Sequence, residues 1–289
     1  MSDLADNAVT QEVRESFAQA ESERTKAILD ALVRHLHGFI VETKLTEREW
    51  SEAIDFLTRT GQISDEKRQE FILLSDVLGA SMLVIGINNR KPEQATPSTV
   101  VGPFYVPTSP RYENGGNIAN GAPGTPCLVR GRIVATSGET IAGARIDVWQ
   151  ADEAGMYDVQ YADLPDTQGR GHLFSEAGGR FWFWTVRPEA YPIPTDGPVG
   201  ELLKAGGRRA MRPAHIHFRI EAAGYQTLTT HIFADGDPYL ATDAVFGVKS
   251  SLVAPFVACD EGQSSFPTVD FEFVLVSDGA DEHDNSHYL

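Results

Sequence analysis

The hydrophobic period of this chain changes once, and the change falls at Asn88-Asn89-Arg90-Lys91-Pro92. Before it, apolar residues such as Leu29, Leu32, Val33, Leu36, Phe39 and Ile40 recur three and four apart, which is the spacing of one face of an α-helix. Thr46-Glu47-Arg48-Glu49 is a capping-box pattern opening a further helix through Trp50, Ile54 and Leu57. Ser64-Asp65-Glu66 predicts another start, leading into Phe71, Leu74, Leu78 and Met82. After the change, Gly and Pro punctuate short runs with strand character: Leu128 to Ala135, Arg145 to Gln150, Arg180 to Val186, His215 to Glu221, Leu228 to Ala234 and Val269 to Val276. Strands in succession, with turn signals and no intervening helices, predict an antiparallel β-sandwich. The expected fold is mainly β with α, a helical domain over residues 1–95 followed by a sandwich domain over residues 96–289.

The chain has 289 residues, enough for a substantial core in one large domain or two modest ones. No window approaches the roughly 18 consecutive apolar residues of a membrane span, so none is expected. The opening Met1-Ser2-Asp3-Leu4-Ala5-Asp6 has neither the basic start nor the apolar run of a secretory signal, and the expected location is cytoplasmic. Cys127 and Cys259 form no C-x-x-C pair, which argues against a redox motif or a zinc knuckle. A formal charge of -17 argues against nucleic acid as a partner, because phosphate binding needs clustered Lys and Arg. It also means that an anionic substrate needs a local positive centre, a metal or a placed arginine. Asp278 to Leu289 reads as a polar surface tail.

Arg212-Pro213-Ala214-His215-Ile216-His217-Phe218 puts two histidines at i and i+2 on a predicted strand. Side chains alternate across a strand, so both imidazoles face one way and either share an ion or simply occupy a solvent face. In His35-Leu36-His37 the same spacing falls on a helix, which sends the rings in different directions and predicts a surface pair. Two histidines and a carboxylate are a common non-haem iron set, yet no carboxylate near His215 lies in the ligating phase of its strand. Two tyrosines in loops rich in Gly and Pro do stand nearby in the pattern, in Gly155-Met156-Tyr157-Asp158 and in Arg187-Pro188-Glu189-Ala190-Tyr191-Pro192-Ile193-Pro194. Alone, a tyrosine in such a setting is more often loop packing than ligand.

Gly102-Pro103-Phe104-Tyr105, Asp147-Val148-Trp149-Gln150-Ala151, Gly179-Arg180-Phe181, Arg187-Pro188, Tyr191-Pro192-Ile193-Pro194 and Arg212 to Phe218, taken in this order, resemble the intradiol catechol dioxygenases. The likeness is to the branch with an N-terminal helical domain and spans nearly the whole chain. It implies a catalytic sandwich domain, one non-haem Fe(III) per subunit, and O2 as co-substrate. It makes Tyr157 and Tyr191 phenolate ligands and His215 and His217 imidazole ligands. Two phenolates and a hydroxide neutralise a 3+ ion, and a multiply charged cation can deprotonate a phenol outright. The resemblance also makes Tyr191 the ligand that leaves the metal and accepts a substrate proton, and Arg212 the residue that stabilises charge on the reacting ring.

Within that family, Leu73, Asp76, Val100, Val101, Gly102, Pro103, Phe104, Ile193, Pro194, Arg212 and Val245 match substrate-binding positions of the subgroup that cleaves hydroxyquinol. Most are apolar or backbone contributors, as a flat ring requires. Asp76 either accepts a hydrogen bond from a third ring hydroxyl or is a helix-surface carboxylate. Gly169-Arg170-Gly171-His172-Leu173-Phe174 and Thr229-Thr230-His231-Ile232-Phe233 point to the same subgroup. His231 stands where catechol-cleaving members typically carry glutamine, as a hydrogen-bond donor to substrate or as a sheet histidine, and is not counted as a ligand. The implied substrate is hydroxyquinol, with catechol or a chlorocatechol as alternatives. The resemblance further implies a homodimer through the N-terminal helices, with a phospholipid at the interface in some relatives. Two other classes compete: a zinc hydrolase around His215 and His217, which gives the tyrosines no role, and a non-catalytic binding sandwich, which needs no metal.

Overall fold

A computed structural model describes residues 8–66, 68–261 and 264–279. They fall into two compact units, divided between Gln62 and Ile63. The opening Met1 to Asp6 and residues 280–289 of the tail lie outside the described residues.

The first unit holds α1 (Ala8–Ser16), α2 (Glu23–Thr43) and all but the last residue of α3 (Glu47–Ile63). Ser22 caps α2 by accepting from the Thr25 N–H at 3.0 Å. The expected capping box forms at α3: Glu49 Oε2 accepts from the Thr46 N–H at 2.9 Å and Thr46 Oγ1 from the Glu49 N–H at 3.3 Å. Arg14 pairs with Asp30 at 2.6 Å and Thr10 with His37 Nδ1 at 2.9 Å, joining α1 to α2. His35 is exposed, but that bond leaves His37 half-buried, so only one of the two is a surface histidine. Much of the apolar stripe stays uncovered within the chain: Leu32, Leu36 and Phe39 on α2 and Trp50, Ile54 and Leu57 on α3 are exposed.

The second unit opens with α4 (Glu70–Val77) and α5 (Ala80–Asn88). The helix predicted from Ser64 begins at Glu70 instead, because Asp65 closes a turn: its Oδ1 accepts from the Arg68 N–H at 2.7 Å and its own N–H donates to the Arg68 carbonyl at 2.8 Å. Gly79, at φ 74, breaks the run. Among the described residues no single helix is long and apolar enough to cross a membrane; α4 and α5 reach that length only as a pair bent by 77°.

The remaining strands are β1 (Pro126–Ala135), β2 (Arg145–Trp149), β3 (Arg170–Phe174), β4 (Arg180–Val186), β5 (Tyr191–Pro192), β6 (Met211–Arg212), β7 (His215–Glu221), β8 (Leu228–Ala234), β9 (Val253–Ala254), β10 (Val257–Glu261) and β11 (Ser264–Leu275). They form sheets ordered β10-β11-β1-β4 and β3-β2-β7-β8-β9, with β5-β6 as a separate ribbon. Val129, Ile133, Phe181, Phe183 and Phe273 of the first sheet share one core with Ile146, Val148, Ile216, Phe218 and Ile232 of the second, which makes the unit a β-sandwich. The sheets are mixed rather than strictly antiparallel, since β1 pairs with β11 and β8 with β9 in parallel. Alternation of side chains specifies which face of a strand is buried, not the direction of its neighbour.

Among the described residues one α-helix interrupts the strands, α6 (Pro198–Ala205), between β5 and β6. Its signals, Pro198 at the first turn and Gly206 at the C-terminal end, are present in the sequence but span only eight residues. In β7 the phase is the expected one. Ile216, Phe218 and Ile220 enter the sandwich core, so His215 and His217 stand on the opposite face of the sheet.

Candidate metal centre

That opposite face is closed off from water. His215 and His217 are each 2% exposed, and the cross-strand partners of His217 are Trp149 on β2 and His231 on β8. Trp149 stacks on the His217 ring at 4.7 Å between centroids, and His231 lies at 4.1 Å on its other side. Tyr157 and Tyr191 are both buried in a small cluster with Trp149 and Ala151, against which Phe104 and Tyr105 pack. Phe104 lies over Tyr157 at 4.4 Å with the rings 23° apart.

Each tyrosine is held by its own local device. Gly155, at φ 77, lets the Tyr157 loop pass under Tyr191, because a Cβ there would sit 2.4 Å from Tyr191 Cβ. The Tyr157 N–H donates to Gln160 Oε1 at 2.8 Å across a short 3-10 turn. Asp158, next in sequence, accepts from Arg170 Nη2 at 2.5 Å and from Nε at 3.0 Å, and Arg170 is 2% exposed. Tyr191 lies on β5, opposite Arg212 on β6.

Four polar atoms converge. The hydroxyl oxygens of Tyr157 and Tyr191 are 3.1 Å apart, Nε2 of His217 is 3.0 Å from the Tyr157 oxygen, and Nε2 of His215 is 3.2 Å from that of His217 and 3.5 Å from each phenol oxygen. Nitrogen and oxygen ligands held about 2.0–2.2 Å from one ion at octahedral to tetrahedral angles lie roughly 3.0–3.5 Å from each other, so the spacing fits a single shared metal. The protonation states fit as well. His215 Nδ1 donates to the Pro213 carbonyl at 2.7 Å, which leaves Nε2 as the lone-pair nitrogen. Burial holds His215 neutral, its pKa pushed down to about 3 with the Arg212 charge adding to the effect. Burial likewise carries His217 and His231 well below the ordinary histidine range. Burial, with Tyr191 beside it, pushes the Tyr157 hydroxyl well above the ordinary phenol range. Only a close cation of high charge reverses that pressure and makes the phenol a phenolate.

Arg212 is 4% exposed, and its Nη1 donates to His215 Nε2 at 3.1 Å. It is therefore no surface salt bridge; its partner is Asp243, also buried, whose Oδ1 accepts from Nε at 3.2 Å. Nothing in the spacing around Asp243 announced this pairing. Asp76 proves to be buried rather than on a helix surface, and burial raises its pKa. Leu73, Ile193 and Val245 meet in one apolar cluster with Val77 and Ala244. Gly102 passes so close to His217 that a Cβ would lie 3.2 Å from its Cε1. Val100 is buried, whereas Val101, Pro103 and Pro194 are exposed. His231 is fully buried, with Nδ1 bonded to Thr99 Oγ1 at 2.5 Å, and its ligand nitrogen falls within 4.8 Å of those of His215 and His217. It stands beside the four converging atoms and belongs to the buried polar floor of the site.

Two family models match the chain, "Catechol dioxygenase N terminus" over residues 22–96 and "Dioxygenase" over residues 100–277. The chain is 53% identical to the 6-chlorohydroxyquinol 1,2-dioxygenase of Cupriavidus pinatubonensis over 95% of its own length and 99% of that protein's. It is 54% identical to the hydroxyquinol 1,2-dioxygenase of Rhodococcus opacus, covering 84% of itself and 81% of the relative. The crystal structure of hydroxyquinol 1,2-dioxygenase from Pseudomonas putida DLL-E4 superposes with a TM-score of 0.90 at 45% identity, over 96% of this chain and 99% of that one. With buried tyrosine and histidine donors converging on one face of the sheet and likeness of this extent over both parts of the sequence, the chain belongs to the intradiol ring-cleavage dioxygenase family.

Proposed function

We propose that this protein is an Fe(III)-dependent dioxygenase that cleaves hydroxyquinol between its adjacent hydroxyl-bearing carbons, both atoms of O2 entering 3-hydroxy-cis,cis-muconate, which tautomerises to maleylacetate. The observation that carries this reading is the convergence of Tyr157, Tyr191, His215 and His217 on one point, with donor separations of 3.0–3.5 Å. Bound there, ferric iron supplies chelation of a 1,2-diolate and activation of the ring toward O2. The residues of the chain supply the rest. His215 and His217 are held neutral and ready to ligate. Tyr157, wedged under Phe104 and tied to Arg170 through Asp158, is the fixed phenolate. Tyr191, on a two-residue strand flanked by Pro192, is the one suited to swing aside and accept a diol proton at Oη. Arg212 holds a fixed positive charge beside His215 for the anionic ring, in a site from which water is largely excluded.

Hydroxyquinol is favoured over catechol and chlorocatechol by the buried Asp76, a polar group beside otherwise apolar lining residues, and by the likeness to relatives named for that substrate. The remaining lining set is Leu73, Val100, Val101, Gly102, Pro103, Phe104, Ile193, Pro194, Arg212 and Val245. Residues 1–95 form the dimerisation part and 96–289 the catalytic part. The exposed apolar residues of α2 and α3 support a homodimer, with a phospholipid able to occupy such a surface. A cytoplasmic location accords with two free cysteines.

The visible spectrum of the iron-loaded protein, before and after anaerobic hydroxyquinol, tests this reading. A broad tyrosinate-to-iron band that shifts with substrate is the expected result. A colourless protein that retains no iron after reconstitution would overturn it.

A further inference from the structure

We propose that Asp243 is a positioning residue for ring cleavage, fixing the guanidinium of Arg212 and, through the same carboxylate, the Val245 wall of the ring pocket. The proposal rests on the ring-cleavage reading above. Asp243 Oδ1 accepts from Arg212 Nε at 3.2 Å and from the Val245 N–H at 3.3 Å, while Oδ2 accepts from the Gly247 N–H at 2.8 Å. One carboxylate thus holds both the charge that faces His215 and the loop that carries a lining residue. Phe246, between the two backbone donors, takes the left-handed φ of 59, and the Phe246 N–H donates back to the Asp243 carbonyl at 3.2 Å. A bulky residue adopts that conformation only where its surroundings impose it.

The three nitrogens of the guanidinium have different surroundings. Nε is bound to Asp243, Nη1 points at His215 Nε2, and Nη2 is buried with no hydrogen-bond partner among the described residues. An unspent buried donor costs stability unless something accepts from it, and this one lies on the Asp243 side of the guanidinium, where a Cβ on Gly247 would be 3.2 Å from both Nη2 and Asp243 Oδ2. Asp243 is the counter-charge that makes this arrangement stable. Burial pushes its carboxyl up, yet Arg212 and the hydrogen bonds outweigh that and hold it ionised. Asp76, a carboxyl that itself feels the Arg212 charge, is driven the opposite way by burial, toward the neutral form.

The test is a cycle of Asp243→Asn and Arg212→Met in the full-length protein. In the iron-loaded enzyme Asp243→Asn is expected to keep the charge-transfer band and to lower kcat on the order of 10- to 100-fold, with a smaller change in KM. In the Arg212→Met background the same change should lower kcat by a clearly smaller factor, because only the Val245 loop is left for it to disturb. Equal losses in both backgrounds, or a kcat for Asp243→Asn within twofold of the unmodified enzyme, would overturn the proposal. Gly247→Ala is a gentler probe: its Cβ would lie 3.2 Å from both Arg212 Nη2 and Asp243 Oδ2. It should reduce kcat several-fold with iron content unchanged, and an unaltered kcat counts against the proposal.

Urea denaturation of the metal-free proteins reads the pairing without catalysis. Asp243→Asn should lower the midpoint when Arg212 is present and raise it when Met replaces it; a shift of the same sign in both sinks the pairing. An unmodified protein that binds no iron and consumes no O2 with any 1,2-diol would instead refute the ring-cleavage reading, while the denaturation cycle would still report on the pair.

Discussion

Tyr191 and Arg212 are cross-strand partners in the two-residue ribbon of β5 and β6. Three residues beyond Arg212, His215 opens β7, and its Nδ1 is tied to the carbonyl of Pro213. A phenol, a guanidinium and an imidazole are therefore set by one cross-strand pair and the short connection from β6 to β7, and the arginine is fixed relative to two candidate metal donors. Electrostatic stabilisation depends on that kind of prior placement, because a charge that must reorganise as the reaction proceeds gives back much of its benefit.

Arg212→Ala should therefore retain iron and the visible band, since no donor is lost, and reduce kcat on the order of 10²- to 10³-fold. The variant also leaves Asp243 as an unpaired buried carboxylate, a change that costs about 3–5 kcal/mol. Steady-state kinetics with an iron assay on the folded fraction checks both. Retained turnover would remove Arg212 from the reaction.

The buried pair of Arg170 and Asp158 bears on the candidate metal donors from further away. It anchors the turn that follows Tyr157, through contacts of 2.5 and 3.0 Å. Arg170→Met is expected to cost about 3–5 kcal/mol of stability by stranding Asp158. It should also weaken iron binding about 10- to 100-fold, as loss of a group that orients a ligand typically does. A competition titration with a chelator measures the second effect, and unchanged iron affinity would show that the turn holds itself.

Much of this site could be read from the chain alone, and for a physical reason. His215 and His217 lie on a strand whose period of two is visible in Ile216, Phe218 and Ile220, so their common face was fixed by alternation. Tyr157 sits in a loop and Tyr191 on a two-residue strand, both too short of pattern for periodicity to predict direction, and only a resemblance in motif order singled them out. Asp243 escaped because its role depends on a contact across 31 residues to Arg212, and a single Asp before Ala244-Val245 carries no local signal. The strands β1, β4, β7 and β8 were legible within a few residues. The two-residue strands and the parallel pairing of β1 with β11 were not, since both arise from long-range pairing.

Asp76 gives a stability prediction with a defined sign. Burial raises its pKa in the folded protein, so its neutral form is the one the fold prefers. Stability is fullest below the unfolded value near 3.9 and declines as pH rises through the raised folded value. Asp76→Asn, which cannot ionise, should match the unmodified protein at low pH and exceed its urea midpoint at pH 8. Asp76→Ala should lower the preference for hydroxyquinol over catechol, as kcat/KM, by about tenfold, the worth of one good hydrogen bond. An unchanged preference would assign Asp76 to packing alone.

The two cysteines should differ in reactivity. Burial pushes the Cys127 thiol up to about 12, and the thiolate is the nucleophilic form. Cys259 is half-buried on β10. Iodoacetamide at pH 8 is expected to modify Cys259 and spare Cys127 until the protein is unfolded, as peptide mass spectrometry would show. Early modification of Cys127 would mean that the sheet around β1 opens readily.

The histidines of the centre set the acid limit of the metal-free protein. His215 is pushed down to about 3 in the folded state, against about 6.5 for an unperturbed histidine. His217 and His231 are displaced in the same direction, each chiefly by burial. Between these values the unfolded chain binds protons that the folded chain refuses, so stability rises with pH across the interval. The stabilisation is complete above about 6.5, and it is lost progressively as pH falls toward the folded values. Bound metal needs the same neutral imidazoles and steepens the dependence, since its release is coupled to proton uptake. The urea midpoint of the metal-free protein should therefore drop between pH 7 and pH 5, a range in which most carboxylates are already ionised. The iron-loaded protein should lose its metal over the same range more sharply than it unfolds. A flat midpoint for the metal-free protein from pH 7 to pH 5 would mean that these imidazoles are not held neutral, and that the centre relies on its metal for the arrangement described above.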